Sequence, residues 1–357
     1  MLKKAAALFL VGASLATWIG CTTSTSRYLY AAIPAASQIA AYREDPNSGV
    51  LTPLSVSPIT AGPAVQSLVL HPSGKFLYAA NSGESDVSLF TISSVGDLTE
   101  VTRTAVGVGV SPTLLVMDTA GSYLYVGNAG APGSISVFSI DAGSGVLTSV
   151  AGSPFQIGIS PLNMKLSPNG NFLYVSGAGS PQGYIEVWAV TAGVLTQPLV
   201  QLIQPGTNPY GMAIAPGGAF LYVANTGDST ISEYSIGSDG TLTELSGSPL
   251  GETYTSPLSL TIDPSGKYLY AANQGSSNLA AYTIGSDGSL TALTNSPFVT
   301  GAQPSYVTSD PSGKYIFVGN QSSPVIQSFS LATSTGTLTS VNTYSVGNTP
   351  ASIAVTQ

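Results

Sequence analysis

A repeat of 47 to 49 residues runs through the chain after residue 26 and constrains the fold more than any other feature. Its marker is an aromatic–aliphatic–aromatic triplet, which occurs at Tyr28-Leu29-Tyr30, Phe76-Leu77-Tyr78, Tyr123-Leu124-Tyr125, Phe172-Leu173-Tyr174, Phe220-Leu221-Tyr222, Tyr268-Leu269-Tyr270 and Tyr315-Ile316-Phe317. Seven copies at a nearly constant period of this size are typical of a β-propeller, in which each repeat forms one blade of four antiparallel strands. The sequence therefore predicts an all-β, seven-bladed propeller as a single domain over residues 27–357.

The turn residues of each repeat divide it into four strands, A to D. An A strand entered at a proline leads into a tight turn such as Asp263-Pro264-Ser265-Gly266-Lys267. The aromatic B strand follows and ends in small residues and an asparagine. A C strand, a glycine-rich turn such as 237–240 and a D strand complete the repeat. Asp, Pro and Gly recur in these turns because they favour the backbone angles that a reversal needs.

The two ends of the repeat array predict how the ring closes. The first strand, 27–32, is a B strand with no A strand before it, and the last, 350–356, is an A strand with no B strand after it. Together they complete one blade. We therefore expect the last strand to join the first blade without a covalent link, which leaves no long open sheet edge.

The composition narrows the classes of partner. Only 7% of the residues are charged, with 17 acidic against 9 basic side chains and a net charge of −8. Because binding to nucleic acid or anionic lipid headgroups depends on clustered Lys and Arg, we expect neither as a direct partner. The 43% of hydrophobic residues excludes an intrinsically disordered chain.

The N-terminal segment indicates export. Lys3 and Lys4 precede an apolar run through residue 19 that is too short for a comfortable membrane span and ends at Gly20-Cys21. Residues 1–20 resemble a bacterial lipoprotein signal peptide, which implies lipidation of Cys21 and a short tether over 21–26. Thr22 favours the outer membrane, on its periplasmic or surface side. An ordinary signal peptide with an incidental cysteine is the alternative.

The blade pattern Asp-Pro-Ser-Gly-Lys-Tyr-Leu-Tyr-Ala-Ala-Asn of residues 263–273 resembles the lactonase-type seven-bladed propellers. These include a 6-phosphogluconolactonase and carboxymuconate-cyclising enzymes. The pattern also overlaps with the YVTN-repeat propellers of cell surfaces, as in Tyr222-Val223-Ala224-Asn225. The resemblance implies that any activity is the hydrolysis of a lactone ring.

A residue that recurs at the same position in every blade is expected to be structural, whereas a functional site should differ between blades. Most of the basic residues recur at equivalent positions. Arg27, Lys75, Lys267 and Lys314 recur at the A–B turns, and His71 takes the place of a turn aspartate. The loops of the opposite face, which joins B to C and D to A, have no Lys, Arg or His. Its charges are Glu84, Asp86, Asp228 and Glu252. This acidic face argues against a phosphorylated or polycarboxylate lactone.

An asparagine recurs at the end of strand B in five blades, at Asn81, Asn128, Asn225, Asn273 and Asn320. Its recurrence favours a structural role, in which the side chain ties the B–C turn through bonds to the backbone. The alternative is a ring of amides at the channel mouth that binds sugar hydroxyls.

The fourth blade departs most from the repeat. Lys165 stands on the innermost strand where other blades have apolar residues or threonine, and Glu186 stands on strand C where three blades have serine. With Asn163, Asn208 and Tyr210 on adjacent loops, they form the candidate site, and a Lys–Glu couple suits acid–base opening of a lactone. A structural ion pair or a lysine that snorkels in the channel is the alternative. Asp228 and Glu252 complete the ligand-face candidates.

Two functions remain open at this point. One is a lactone hydrolase with Lys165 and Glu186 as catalytic residues; the other is a non-catalytic surface propeller that binds a neutral glycan or a protein. No metal-binding or nucleotide-binding motif is present, so we expect no cofactor. We expect a monomer whose only membrane contact is the lipid anchor.

Overall fold

The computed structural model describes residues 26–105, 110–178, 183–251 and 253–357, except for the side chains of 197–202. It forms seven antiparallel sheets arranged as the blades of a β-propeller, which confirms the predicted fold class. In the described part of the chain, the one helical element is a single 3-10 turn, Pro34–Ala36. The predicted signal peptide, tether and Cys21 lie outside the described residues.

Each blade begins at the channel with an A strand, followed outward by a B strand. The A strands, from blade 1 to blade 7, are β32 (Ser352–Val355), β5 (Val65–Leu70), β9 (Pro112–Met117), β14 (Ser160–Leu166), β18 (Pro209–Ile214), β23 (Pro257–Ile262) and β28 (Pro304–Ser309). The B strands are β1 (Arg27–Ile33), β6 (Phe76–Asn81), β10 (Tyr123–Asn128), β15 (Phe172–Ala178), β19 (Phe220–Asn225), β24 (Tyr268–Asn273) and β29 (Tyr315–Asn320).

The C strands lie next, and the D strands form the outer edge. The C strands are β2 (Gln38–Glu44), β7 (Asp86–Ile92), β11 (Ser134–Ile140), β16 (Tyr184–Thr191), β20 (Thr230–Ile236), β25 (Asn278–Ile284) and β30 (Val325–Ala332). Three D strands are continuous, namely β8 (Leu98–Ala105), β17 (Val194–Ile203) and β31 (Thr337–Ser345). Four are divided into two pieces, namely β3 (Leu51–Pro53) with β4 (Ile59–Thr60), β12 (Leu147–Ser149) with β13 (Phe155–Gln156), β21 (Leu242–Glu244) with β22 (Leu250–Gly251), and β26 (Leu290–Ala292) with β27 (Phe298–Val299).

A Ser-Pro pair lies between the two pieces of each divided D strand. Proline has no backbone N–H to continue the ladder. The serine hydroxyl replaces the missing strand contact, because it accepts a hydrogen bond from the C-strand N–H that would otherwise have no partner. In blade 1, Ser57 accepts from Ala41 N at 2.9 Å, and in blade 5, Ser248 accepts from Glu233 N at 3.0 Å. The repeat analysis did not predict this division.

The ring closes as the two ends of the sequence predicted. Strand β32 pairs antiparallel with β1, with Tyr30 opposite Ala354, and blade 1 has the order β3-β2-β1-β32. Beyond the ladder, Tyr28 N donates to Thr356 Oγ1 at 2.8 Å. The first and last described segments therefore stabilise each other within one blade.

The aromatic triplet joins each blade to the next. Its third residue is fully buried, and in five blades this is a tyrosine whose hydroxyl donates to a glycine carbonyl in the C–D turn of the following blade, as Tyr30 does to Gly96 O at 2.7 Å and Tyr222 to Gly288 O at 2.7 Å. Its first residue packs its ring on the same glycine. We call this contact the aromatic clasp.

The clasp explains why glycine recurs in the C–D turns. Gly96 has φ +85°, and a Cβ built there would lie 2.2 Å from the Tyr28 ring. At the closure, Tyr315 takes the same position against Gly49 of blade 1. Only glycine combines the left-handed backbone with so close an approach of a ring.

A buried charged cluster lies on the turn face where the ring closes. Arg27 Nη1 lies 3.0 Å from Asp310 Oδ2 and 4.0 Å from Glu44 Oε1. Glu44 is 1% exposed, and neither of its carboxylate oxygens has a hydrogen-bond partner. Burial first, and then the charge of Asp310, raise the pKa of Glu44 to about 7.

We predict that Glu44→Gln stabilises the protein at neutral pH. An acid whose pKa is raised in the folded state favours folding when it is protonated, so the wild type loses stability as pH rises from about 4.5 to above 7. The amide has no charge to bury, and the variant should be more stable by on the order of 1–3 kcal/mol above pH 7. Urea denaturation at acid and at neutral pH measures this difference.

The control is Glu100→Gln on the exposed strand β8, where Glu100 pairs with Arg103. An exposed pair contributes about 0–1 kcal/mol, so this change should have little effect at either pH. A Glu44→Gln effect that is equal at acid and neutral pH would contradict the account of the buried carboxylate.

Candidate functional site

A funnel opens on the face formed by the B–C and D–A loops and leads into the central channel. The funnel encloses about 590 Å³, and its polar lining consists of amide and hydroxyl side chains, including Gln66, Asn163, Tyr210, Gln274, Tyr306 and Gln321. A deeper cavity of about 200 Å³ shares Gln66, Asn163 and Tyr306 with the funnel and extends down to Lys165. Among the described residues that line these two cavities, Lys165 is the one Lys, Arg, His, Asp or Glu.

Side chains on the inner A strands alternate between the two sides of each strand, and this determines which of them lie together along the channel wall. Residues two apart on a strand point to the same side. The upper of two such positions is held by Ser67, Leu114, Asn163, Gly211, Ser259, Tyr306 and Ser352, and the lower by Val69, Val116, Lys165, Ala213, Thr261, Thr308 and Ala354. Asn163 and Lys165 therefore lie on the same side of β14. Polar residues occupy both positions only in blades 4, 6 and 7.

Lys165 is the most unusual residue of this wall. Its neighbours at the same level of the channel are aliphatic or carry only a hydroxyl, and no described residue forms an ion pair or hydrogen bond with its Nζ. Burial lowers the pKa of its amine, because an ammonium loses water there without gaining a counter-ion. The environment thus favours the neutral amine, which can act as a base.

The structure does not bring Glu186 to Lys165, so the predicted acid–base couple is wrong. Lys165 lies opposite Tyr174 on β15, whereas Glu186 on β16 lies opposite Val175. Because adjacent residues of a strand point to opposite sides, the two side chains are on different sides of the sheet, with β15 between them. The predicted ion pair between them is excluded for the same reason.

Glu186 instead ties parts of the blade 3–4 boundary together. Its Oε1 accepts from Gly158 N at 2.9 Å, and its Oε2 accepts from the Trp188 indole N–H at 3.1 Å. In blade 7, Gln327 occupies the corresponding strand position, and its Oε1 accepts from Gly301 N at 2.6 Å. A neutral amide makes the same loop contact in that blade, which assigns Glu186 a structural role.

The remaining predicted residues fall into three groups. Asn163 and Tyr210 line the funnel, and Tyr210 is 40% exposed. Asn208 and Asp228 are exposed on the same face without lining the funnel, and Asp228 accepts from Thr207 N at 2.6 Å. Glu252 lies outside the described residues.

The five recurring asparagines are structural. All are fully buried, so the alternative of an amide ring at the channel mouth is wrong. Asn81 Nδ2 donates to Asp86 at 2.6 Å and to Ser88 at 2.9 Å on strand C of its own blade. The bonds go mainly to side chains, whereas we predicted backbone partners. The serine partner also explains what changes in blade 4, where Gly177 and Glu186 replace the asparagine and the serine.

His71 is also structural, as predicted. Its ring lies between Ser73 Oγ, at 2.8 Å from Nδ1, and Gly121 O, at 3.0 Å from Nε2. It therefore links the A–B turns of blades 2 and 3. Arg103 pairs with Glu84 and Glu100 on the outer edge of blade 2, at 2.6 and 2.7 Å.

Sequence reasoning missed four funnel residues. Gln274 Nε2 donates to Gln321 Oε1 at 2.6 Å and connects the rims of blades 6 and 7. Both follow the recurring asparagine, where other blades have smaller residues. Tyr306 and Gln66 stand on inner strands, and Tyr306 takes a position held by serine in three blades. The symmetry test, applied to each channel position in turn, would have found Tyr306.

Within the described ranges, no three His, Cys, Asp or Glu residues are grouped as a metal site would require. The same residues include no helix with the length and apolar character to cross a bilayer.

The chain belongs to a family of enzymes and related proteins that share this fold. The family model described as lactonase, 7-bladed beta-propeller matches residues 20–160, 160–255 and 248–355, so the chain is a member of that family. No curated protein matches the sequence.

Several solved structures share the fold at low sequence identity. A putative 6-phosphogluconolactonase of Bacteroides fragilis is 22% identical, with a TM-score of 0.81 over 94% of this chain and 99% of that one. A periplasmic gluconolactonase of Pseudomonas aeruginosa is 18% identical, with a TM-score of 0.77 over 93% of this chain and 99% of that one. At these identities the likeness establishes the propeller fold.

We predict that Lys165→Met stabilises the fold at neutral pH. The change removes an unpaired, partly buried amine and keeps an unbranched side chain of similar length, which should add about 1 kcal/mol, the low end of the cost of burying an unsatisfied polar group. A lysine whose pKa is lowered in the folded state costs stability until pH exceeds its unfolded value of about 10.4. The gain should therefore shrink as pH rises from about 7 toward 10. Thermal unfolding of both proteins across this range measures it.

Lys267→Met serves as the matched control, because Lys267 is exposed at an A–B turn. The account fails if Lys165→Met destabilises the protein at neutral pH, or if its effect equals that of the control.

Proposed function

We propose that this protein hydrolyses a neutral, polyhydroxylated lactone held in the funnel. The observation that carries the proposal is the arrangement of the lining, in which uncharged amides and hydroxyls surround the mouth and a single unpaired amine lies below them. Amides and hydroxyls match the hydroxyl groups of a sugar lactone, and membership of the lactonase family supports the reaction class.

Lys165 supplies the base in this proposal. Its neutral amine takes a proton from a water molecule as the water oxygen attacks the lactone carbonyl carbon. The carbonyl oxygen gains negative charge, and the Asn163 amide, on the same side of β14, is placed to donate to it. The bond between the carbonyl carbon and the ring oxygen then breaks, and the leaving alkoxide takes the proton back from Lys165. The product is a hydroxy acid, whose carboxyl group ionises in neutral solution.

The funnel favours a neutral lactone over a phosphorylated one. No Lys, Arg or His is among its described lining residues, and the exposed charges Glu84 and Asp228 of the same face are acidic. Phosphate sites ordinarily use basic side chains or helix N-termini. Among the solved structures of the same fold, this choice matches the name gluconolactonase rather than 6-phosphogluconolactonase.

The proposed location is outside the cytoplasm. The signal-like segment 1–20 and Cys21 support export and lipid anchoring in the cell envelope, with the outer membrane favoured. An exported enzyme would meet unphosphorylated sugar lactones, which agrees with the uncharged funnel.

The test compares glucono-1,5-lactone with its 6-phosphate at pH values where the spontaneous opening of each lactone is measured and subtracted. We expect kcat/KM to be higher for the neutral lactone and to rise with pH as Lys165 loses its proton. Lys165→Met should lower kcat/KM by about 10²- to 10⁴-fold, the ordinary contribution of a general base. Glu186→Gln should retain the activity, since Gln327 shows that an amide can make the loop contact.

Two results would overturn the proposal. If no neutral lactone is turned over but sorbitol or glucose binds, the protein is a polyol-binding propeller without catalysis. If turnover is lost in Glu186→Gln and kept in Lys165→Met, the catalytic group lies elsewhere.

A further inference from the structure

We infer that the floor of the channel at Lys165 is a binding site for the carboxylate of a small hydroxy acid, which the unpaired amine of Lys165 holds. The inference uses the site of the proposed function but does not depend on turnover, because the ligand is a stable acid. The anion is a second class of ligand for this site, in addition to the neutral lactone that the uncharged mouth of the funnel favours.

The polar side chains at this level of the channel offer hydrogen-bond donors from several residues. Lys165 has up to three N–H groups and no partner among the described residues. Thr261 lines the same cavity, and Asn163 contributes a further amide. No Asp or Glu is found in the described lining of either cavity. A wall of this kind is complementary to an electronegative group rather than to another donor.

The cost of charging Lys165 points to the same ligand class. A lysine in a sheltered cavity loses hydration, and without a counter-ion its protonated form is destabilised. A carboxylate beside Nζ would supply both the missing charge and a hydrogen-bond acceptor, and a charge-assisted bond of this kind is stronger than a neutral one. Binding should therefore raise the proton affinity of Lys165, so that the empty site takes up a proton as the anion enters.

The shape of the site selects a carboxylate with a polar chain attached. The deeper cavity of about 200 Å³ has room for a carboxylate and a few adjoining atoms, given that a water molecule occupies about 30 Å³. The funnel of about 590 Å³ above it carries Gln66, Gln274 and Gln321, which suit hydroxyl groups. A linear aldonate such as gluconate combines both parts.

Few other titratable groups face Lys165. Tyr306 lines the same cavity from β28 and is hydrogen-bonded to Ser352, and burial raises the pKa of its phenol, so it stays neutral. Tyr174 lies opposite Lys165 on β15, but its hydroxyl donates to Gly240 O at 3.2 Å in the next blade. On β9 and β18 the described lining residues are uncharged. Proton uptake on anion binding is therefore assigned to Lys165.

The experiment is calorimetric titration of the purified protein with gluconate at neutral pH, in two buffers with different heats of ionisation. The buffer dependence of the heat measures the protons taken up per anion bound. In titrations repeated up to about pH 10, we expect a single site, net proton uptake, and affinity that falls as pH rises toward the ordinary lysine pKa of about 10.4. Acetate should bind more weakly, with the same sign of proton uptake, because it has the carboxylate alone.

Lys165→Met and Lys267→Met lose the same charge, one in the channel and one at an exposed turn. Gluconate affinity should fall at least about tenfold in the first, which corresponds to about 1.4 kcal/mol, and should not change in the second. Sorbitol, which has the hydroxyl chain without the carboxylate, should bind both variants and the wild type alike without proton uptake. Thermal unfolding of each variant shows that it is folded before titration.

The inference is overturned if gluconate binds the wild type and the folded Lys165→Met variant equally. It is also overturned if binding releases protons, or if it takes up none at any pH between neutral and about 10. It is also overturned if gluconate does not bind at millimolar concentration. If gluconate binding fails these tests but lactone turnover is observed, the proposed function stands and the anion site does not. If gluconate binds as expected but no lactone is turned over, the anion site stands and the proposed function does not.

Discussion

The aromatic clasp is the contact on which the rest of the structure depends. At each junction between blades, a ring from strand B packs on a glycine of the next blade's C–D turn, and in five blades a buried tyrosine hydroxyl bonds to that glycine's carbonyl. The contact combines ring burial, a left-handed turn and a satisfied hydroxyl, and none of these tolerates a shift of the neighbouring blade. Repetition of one contact around the ring holds the inner strands around a channel of defined width.

This architecture decides which residues are free to bind a ligand. Most of the few charged side chains serve turns, edges or the closure, where Arg27 meets Asp310 and Glu44. The side chains of the recurring asparagines are buried inside the blades and unavailable to a ligand. The polar groups that remain at the centre of the ring, among aliphatic side chains, are amides, hydroxyls and one lysine. The scarcity of charge thus leaves Lys165 without a counter-ion, and this gives the site its chemical character.

The fold could be predicted because its determinants are local. The triplets, turn glycines and end strands each specify a short segment, and their regular spacing specifies the ring. Lys165 could be selected because it breaks the symmetry of its position. The position of Glu186 relative to Lys165 could not be predicted in the same way, since whether two residues share a side depends on the strand register, which the repeat spacing alone does not specify. Blade 7 shows how a side chain that breaks the repeat, Gln327, can still be structural.

The funnel itself was harder to predict. Gln274 and Gln321 meet across two blades that are 47 residues apart in sequence, and nothing in either blade alone indicates the contact. The divided D strands were also missed, because the serine that replaces the lost partner acts through a side chain rather than through a strand pattern. Both cases concern contacts that the repeat permits but does not specify.

The central claim is that Lys165 is an unpaired amine in the channel whose pKa lies below the ordinary lysine value, able to act as a base or to receive an anion. Carbon-13 NMR of protein labelled at lysine Cε tests it most directly, because residues 27–357 contain only four lysines. The signal absent from Lys165→Met should titrate below the ordinary lysine value of about 10.4 and move upward when gluconate is added. A signal that titrates at or above that value without ligand, or that gluconate leaves unchanged, would contradict the account.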